Sequence, residues 1–233
     1  MTETQDLVFL SKEISRQATA KVIAVTMLVQ ALATLCTLVP AVIAPELALA
    51  FGLPASMIGY QISLIYFGAI VTSLAGGILI PCLGALRTSQ IALICSGSGL
   101  VLSAVPSIIT YAIGSIFIGF GYGLTNPAAS HLLMRISTPQ NRNFIFSLKQ
   151  TGVPLGAVCA GLFSPTLTIA FGWQWTFLIL GTVTLGAVLL IQPFQRNWDW
   201  DRDPEASIKY NLIDDLGMVW KHPKLRLLSL AAF

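Results

Sequence analysis

The chain has 233 residues, of which 55% are apolar and 10% charged, and a net charge of +3. Soluble domains carry about 25% charged residues, so a soluble enzyme is excluded. Basic residues never cluster on a polar, aromatic-interleaved surface, which excludes a nucleic-acid partner as the reason for the positive excess.

Charge is confined to particular places. Twelve of the Asp, Glu, Lys and Arg residues lie within 196–226, and eleven serve the rest of the chain. Residues 1–21 mix Glu3, Asp6, Lys12, Glu13, Arg16 and Lys21 and read as a cytoplasmic N-terminal segment. The uncharged run that follows, 22–45, exceeds the roughly 7 to 15 residues of a signal-peptide core. It is long enough for one membrane crossing, which takes about 20 residues. Uncharged stretches at 47–86, 88–134 (His131 apart) and 150–195 each hold two more. Cutting at Pro, Gly and polar clusters predicts six spans over 22–45, 58–81, 89–105, 108–133, 146–171 and 173–191, together a transmembrane bundle at 22–193.

The basic residues check the span count. Lys12, Arg16 and Lys21 precede span one, and Arg87 lies between spans two and three. Arg135 and Arg142 lie between four and five, with Lys149 just inside span five, and the last six Lys and Arg follow span six. The first, third and fifth connections carry none. Positive charge stays cytoplasmic, so both the N-terminus and the segment after span six belong on that side.

A shift of 84 residues lays Ser63 on Ser147, Leu64 on Leu148, Gly68 on Gly152, Gly77 on Gly161, Pro81 on Pro165, Gln90 on Gln174 and Gly97 on Gly181. Spans two and three thereby match spans five and six, which cross in the opposite direction, as in an inverted repeat. The competing explanation is composition, since Gly, Leu and Ser are common here. Residues 194–225 are polar, with Trp198 and Trp200 near the membrane edge. They hold an amphipathic stretch through Ile208, Leu212, Leu216, Val219 and Trp220, expected to lie on the cytoplasmic surface. Residues 226–233 open a seventh apolar run, a stub of a span.

These features together resemble the N-terminal half of a major facilitator superfamily transporter, along the whole chain. "GILIPCLGALR" is similar to that family's G-x-x-x-D-R-x-G-R-R loop, keeping Gly77 and Gly84 and placing Arg87 near the basic end, with Pro81 and Cys82 where Asp and Arg are expected. Span four resembles the R-x-x-x-G-x-G pattern at Gly119, Gly121 and Gly123, with Ser115 in place of the Arg. "SLKQTGVPLGAVCAGLFSP" resembles the glycine-rich fifth span, in a different Gly-Pro order. The resemblance implies an all-α polytopic membrane protein, six transmembrane helices forming a 3+3 inverted repeat plus the start of a seventh. Spans one and four would line a central cavity with two and five beside it. The implied activity is secondary transport of a small organic solute by alternating access of two six-helix bundles. Its implied partners are the lipid bilayer, the solute, a coupling ion (proton or sodium), and a C-terminal half or second copy. No cofactor is indicated, and the expected location is a bacterial inner membrane.

Gln30, Thr34 and Thr37 recur three or four apart and share one face of span one. Tyr60, Gln61 and Tyr66 fall in the external half of span two, Tyr122 and Asn126 one turn apart in span four, and Lys149, Gln150 and Thr151 near the cytoplasmic end of span five. Polar groups facing lipid are costly, so these residues are candidates for a hydrogen-bonding cavity wall. The alternative for each is an interhelical hydrogen bond without a substrate. Lys149 suits an anionic solute such as a carboxylate. Counting back about 20 residues from Phe171 puts it near the interface, however, where a snorkelling, structural role is the stronger expectation. No Asp or Glu lies mid-span, so proton coupling through a carboxylate would fall to Glu46 or to the other half.

Gly119 with Gly123 and Gly152 with Gly156 are small-xxx-small pairs for close packing, static or moving, and join Gly77, Gly84 and Arg87 as packing or gating candidates. Pro40, Pro127 and Pro154 interrupt backbone ladders inside spans one, four and five. Cys36, Cys82, Cys95 and Cys159 sit in apolar stretches and read as packing residues.

Two rival readings come from single motifs. Asn126-Pro127-Ala128 is the tripeptide of aquaporin-like six-helix channels, present here once and within span four. A membrane hydrolase would have only His131 and His222 to pair with a serine, with Gly97-Ser98-Gly99 as a weak motif, and no enzyme is expected. The unfinished seventh span suggests an inactive truncated product, a fragment, or a half that pairs with another.

Overall fold

Lipid offers backbone N–H and C=O groups no partner, so an apolar run that crosses it is forced into helix. The computed structural model describes residues 2–54 and 59–200, with Arg202 and Pro223. Its helices are α1 (Thr2–Val42), α2 (Ala44–Phe51), α3 (Tyr60–Leu83), α4 (Ala85–Ser103), α5 (Ile108–Ile136), α6 (Arg142–Gln150), α7 (Gly152–Phe171) and α8 (Trp173–Ile191). A 3-10 turn over Gln192–Phe194 and a short α9 (Gln195–Trp198) follow. Among the described residues, six segments are long and apolar enough to cross a membrane: Gln17–Val42, Tyr60–Leu83, Ala85–Ser103, Ile108–Ile136, Arg142–Phe171 and Trp173–Phe194. The expected amphipathic stretch and the seventh-span stub lie outside the described residues.

Several boundaries differ from the expected ones, each for a local reason. The N-terminal segment continues α1 as helix. Span one ends at Val42, and the chain restarts as α2 with Pro45 in its first turn. Proline has no N–H to extend the ladder but is well suited to a helix start. Span three begins at Ala85 and carries Arg87, exposed, in its first turn. Span five begins at Arg142 and bends at Thr151, where α6 hands over to α7. Pro154 leaves the Gln150 carbonyl without its helical donor.

Single glycines make the two tightest reversals. Gly84, at φ 95°, turns α3 into α4, and Gly172, at φ 89°, turns α7 into α8. Both conformations are open to glycine at little cost. Each amide still closes the helix it ends, Gly84 N donating to Ile80 O and Gly172 N to Thr168 O, both at 2.9 Å.

The spans pack in two layers. The contacts α3–α5, α5–α1 and α1–α7 form a front row in that order, and α4 and α8 pack against each other behind it. Spans one and four are thus central in the row, with two and five at its flanks, the order the resemblance implies. Lipid tails are as apolar as leucine, so close backbone approach and interhelical hydrogen bonds take over from hydrophobic burial as the cohesive terms. A Cβ at Gly119 would run into the Ile65 carbonyl, and one at Gly123 into the Ala69 carbonyl, so these two glycines set the α3–α5 spacing. Gly152 and Gly156 lie as tightly on the α1 backbone at Met27 and Ala31. Behind them Gly97 and Gly181, partners in the 84-residue shift, face each other across α4 and α8. Thr72 Oγ1 donates to Phe120 O (3.0 Å) and Ser73 Oγ to Gly123 O (2.9 Å), adding hydrogen bonds along the α3–α5 seam.

The two ends of the bundle differ in chemistry. At one end Phe51, Tyr111, Trp173 and Phe177 form a ring cluster with centroids 5.4–6.4 Å apart. The other end gathers Arg87, Arg135 and the segment after α8. There Asp199, buried, accepts hydrogen bonds from Leu86 N (Oδ1, 2.8 Å) and Arg87 N (Oδ2, 2.9 Å) at the start of α4. Arg135 Nη1 donates to Trp198 O at 2.8 Å, and its guanidinium lies 4.8 Å from the Trp200 ring centroid. The alternating basic loops predicted from the sequence therefore share one end of the folded bundle.

Candidate solute-binding site

Lys149 leaves the last turn of α6 and points into the front row, where it is only 4% exposed. Its ammonium donates to Gln30 Oε1 of α1 at 2.8 Å and to Asn126 Oδ1 of α5 at 2.5 Å. Three spans thus converge on one cation. The snorkelling expected of Lys149 does not occur. Span five begins at Arg142, about two turns before the lysine, and the glycine face of α7 seats Gln30 and Thr34 of α1 beside it.

Gly152 and Gly156 make that seat possible. A Cβ on Gly152 would come 3.0 Å from the Gln30 Cβ, and one on Gly156 would come 2.9 Å from the Thr34 Cβ. Larger residues would push α7 off the polar face of α1. Gln30 and Thr34 are both buried, and Gln30 Nε2 and Thr34 Oγ1 have no hydrogen-bond partner among the described residues. The cluster is rich in unspent donors: an ammonium, a carboxamide NH2 and a hydroxyl.

Asn126 connects this cluster to the surface of the bundle. It is exposed and lines a cavity of about 320 Å³ on the α3–α5 seam with Tyr66, Ser73 and Tyr122. Tyr66 and Tyr122 meet edge to face across it, centroids 6.2 Å apart. Towards the arginine end the same seam holds a second cavity, of about 420 Å³, lined by Gly77, Pro81, Pro127, His131 and Arg135 among others. Asn126, Pro127 and Ala128 all lie inside the unbroken α5. The half-helix caps of an aquaporin-like channel are not formed there.

The other predicted residues separate from this centre. Thr37 is buried but donates to Ala33 O of its own helix at 2.9 Å. Gln150 and Thr151 are exposed, and Thr151 Oγ1 donates to Leu148 O at 2.6 Å. Tyr60 is exposed and Gln61 buried, at the aromatic end, where they line a third cavity of about 230 Å³ with Phe51 and Tyr111. Gly77 is exposed in the α3–α5 groove, while its neighbour Gly76 packs on Pro127. Gly84 and Arg87 belong to the Asp199 contact. Two participants escaped the sequence reading. Ser73 was one hydroxyl among many, and Asp199 had no mark beyond its place in a charged segment.

A profile of the Major Facilitator Superfamily matches residues 26–233. Over 198 residues the chain is 28% identical to the sodium-dependent phosphate transport protein 1 of the Arabidopsis thaliana chloroplast, covering 73% of this chain and 37% of that protein. It is 29% identical over 147 residues to the human solute carrier family 2, facilitated glucose transporter member 10, covering 61% of this chain and 26% of the relative. It is 28% identical over 148 residues to "Probable anion transporter 4, chloroplastic" of Oryza sativa subsp. japonica, covering 59% and 24%. The chain therefore spans about a quarter to two fifths of the length of these relatives.

Proposed function

Because the chain belongs to the Major Facilitator Superfamily, we propose that it supplies the N-terminal six-helix bundle of a secondary transporter that moves a small organic solute by alternating access. The observation that carries this reading is the Lys149–Gln30–Asn126 cluster, in which three spans meet behind an open cavity. Ionisable groups inside a membrane are expensive and mark solute or ion pathways. Of the three relatives above, two are named for phosphate or anions and one for glucose. Family membership thus supports transport and leaves the solute to the site.

The second and fifth spans are the least buried of the six, and large apolar residues such as Phe67, Ile70, Val158 and Leu162 are exposed on them. A C-terminal bundle or a second copy would cover these flanks and close the cavity over Asn126. The glycine seams at Gly119–Gly123 and Gly152–Gly156 are the surfaces along which the front row would rock, and a proton or sodium ion would couple the cycle. The location in this reading is a plasma membrane of bacterial type, with the arginine end cytoplasmic.

Cysteine accessibility tests the reading. In the complete gene product, with its native cysteines replaced, Tyr122→Cys is expected to react with impermeant thiol reagents from either side in turn, the balance shifting as solute is added. Reaction from one side only, under every condition, would sink it.

A further inference from the structure

Resting on the transporter reading, we infer that the solute carries a carboxylate, held by the Lys149 ammonium together with the Gln30 amide. Charge balance is the first ground. Both partners of Lys149 are neutral carboxamides. Among the described residues no carboxylate bonds it: Glu46 is exposed in α2, towards the aromatic end, and Asp199 is committed to the α4 amides. A buried charge without a counter-charge is costly. One monovalent anion removes that cost, whereas a neutral sugar leaves it in place.

Donor geometry is the second ground. An ammonium has three N–H groups, and two are in use. Gln30 accepts from Lys149 through Oε1 while its Nε2 is buried with no acceptor among the described residues, and Thr34 Oγ1, one turn on, is in the same position. Buried donors are normally satisfied. A carboxylate has two acceptor oxygens set side by side, one for the ammonium and one for the adjacent amide.

The entry route is the third ground. Asn126 is the one exposed member of the trio and borders the 320 Å³ cavity. A carboxylate arriving there takes the place of Asn126 Oδ1 on the ammonium, exchanging a neutral acceptor for a charged one, and charge-assisted bonds are the stronger. Gln30 keeps its hold on Lys149 throughout. Asn126 thus acts as a removable lid.

The test uses the complete gene product in proteoliposomes. The probes are radiolabelled monocarboxylates from acetate to benzoate, inorganic phosphate and glucose. Saturable uptake of at least one monocarboxylate is expected. Lys149→Gln should weaken its apparent affinity by about 30-fold or more, the scale of losing one member of a buried charge pair, and Lys149→Arg should restore part of it. If Lys149→Gln does not fold, Asn126→Ala decides: removing the lid should raise carboxylate affinity severalfold, and a loss there overturns the proposal. Phosphate uptake that depends on Lys149, with the carboxylates inert, also overturns it. Glucose uptake equal in wild type and Lys149→Gln overturns the carboxylate site while leaving the transporter reading intact. That reading fails separately, through the Tyr122→Cys labelling.

Discussion

Gln30 Oε1 accepts from Lys149 Nζ at 2.8 Å, and the Nε2 of the same amide is buried without a partner among the described residues. One side chain of α1 therefore satisfies a cation and carries an unmet need of its own. Changing Gln30 in two directions separates these roles. Gln30→Leu removes an acceptor from a buried charge and is expected to lower stability by about 1–3 kcal/mol, read as a fall in melting temperature in detergent. Gln30→Glu supplies an internal carboxylate and is expected to give a folded protein in which solute uptake is abolished, because the ammonium is already neutralised.

The glycine seams predict an asymmetry between residues that look alike in sequence. A Cβ on Gly119 would enter the space of the Ile65 carbonyl, whereas one on Gly161 meets nothing within 4 Å among the described residues. Gly119→Ala is expected to destabilise the bundle by about 1–3 kcal/mol through overpacking. Gly161→Ala is expected to be neutral or to stabilise by up to about 1 kcal/mol from helix propensity. Thermal unfolding of the two variants side by side is the measurement, and equal losses would contradict the seam.

Asp199 supplies the helix cap that the loop between spans two and three does not carry itself. Its two carboxylate oxygens take the Leu86 and Arg87 amides, and Gly84 leaves room for it, since a Cβ there would collide with the Asp199 side chain. Asp199→Ala is expected to cost about 0.5–2 kcal/mol. Hydrogen exchange should accelerate at the Leu86 and Arg87 amides and remain unchanged in the middle of α4. Uniform acceleration along α4 would instead indicate general loosening.

Orientation is testable at the two single-glycine turns. With the arginine end cytoplasmic, Gly172→Cys is expected to react with an impermeant thiol reagent from outside the cell, and Arg87→Cys, exposed beside the Gly84 turn, only after the membrane is opened. Labelling of residue 172 from the cytoplasmic side alone would overturn both the six-span count and the orientation.

The spans were legible in the sequence because each is a local, one-dimensional property. A run of about 20 uncharged residues must be helical in lipid, and basic residues falling only in alternate loops fix which ends lie together. The structure gathers Arg87, Arg135 and the segment after α8 accordingly. The glycine pairs were legible too, since spacing alone puts Gly119 and Gly123 on one face. Their partners were not: nothing in the order of residues states that Gly119 meets Ile65 while Gly152 meets Met27.

Lys149 shows where such reading stops. Its distance along the chain from Phe171 placed it at an interface, on the premise that span five is one helix of standard length. Whether a long cation reaches water or turns inward depends on what stands beside it, and here those neighbours come from residues 119 and 23 positions away, Gln30 and Asn126. Composition and charge order were enough for a six-span membrane bundle, because the bilayer acts on each segment separately. The Lys149 cluster depended on the packing of α1, α5, α6 and α7, because burial and counter-charge belong to contacts between helices and to no single stretch of sequence.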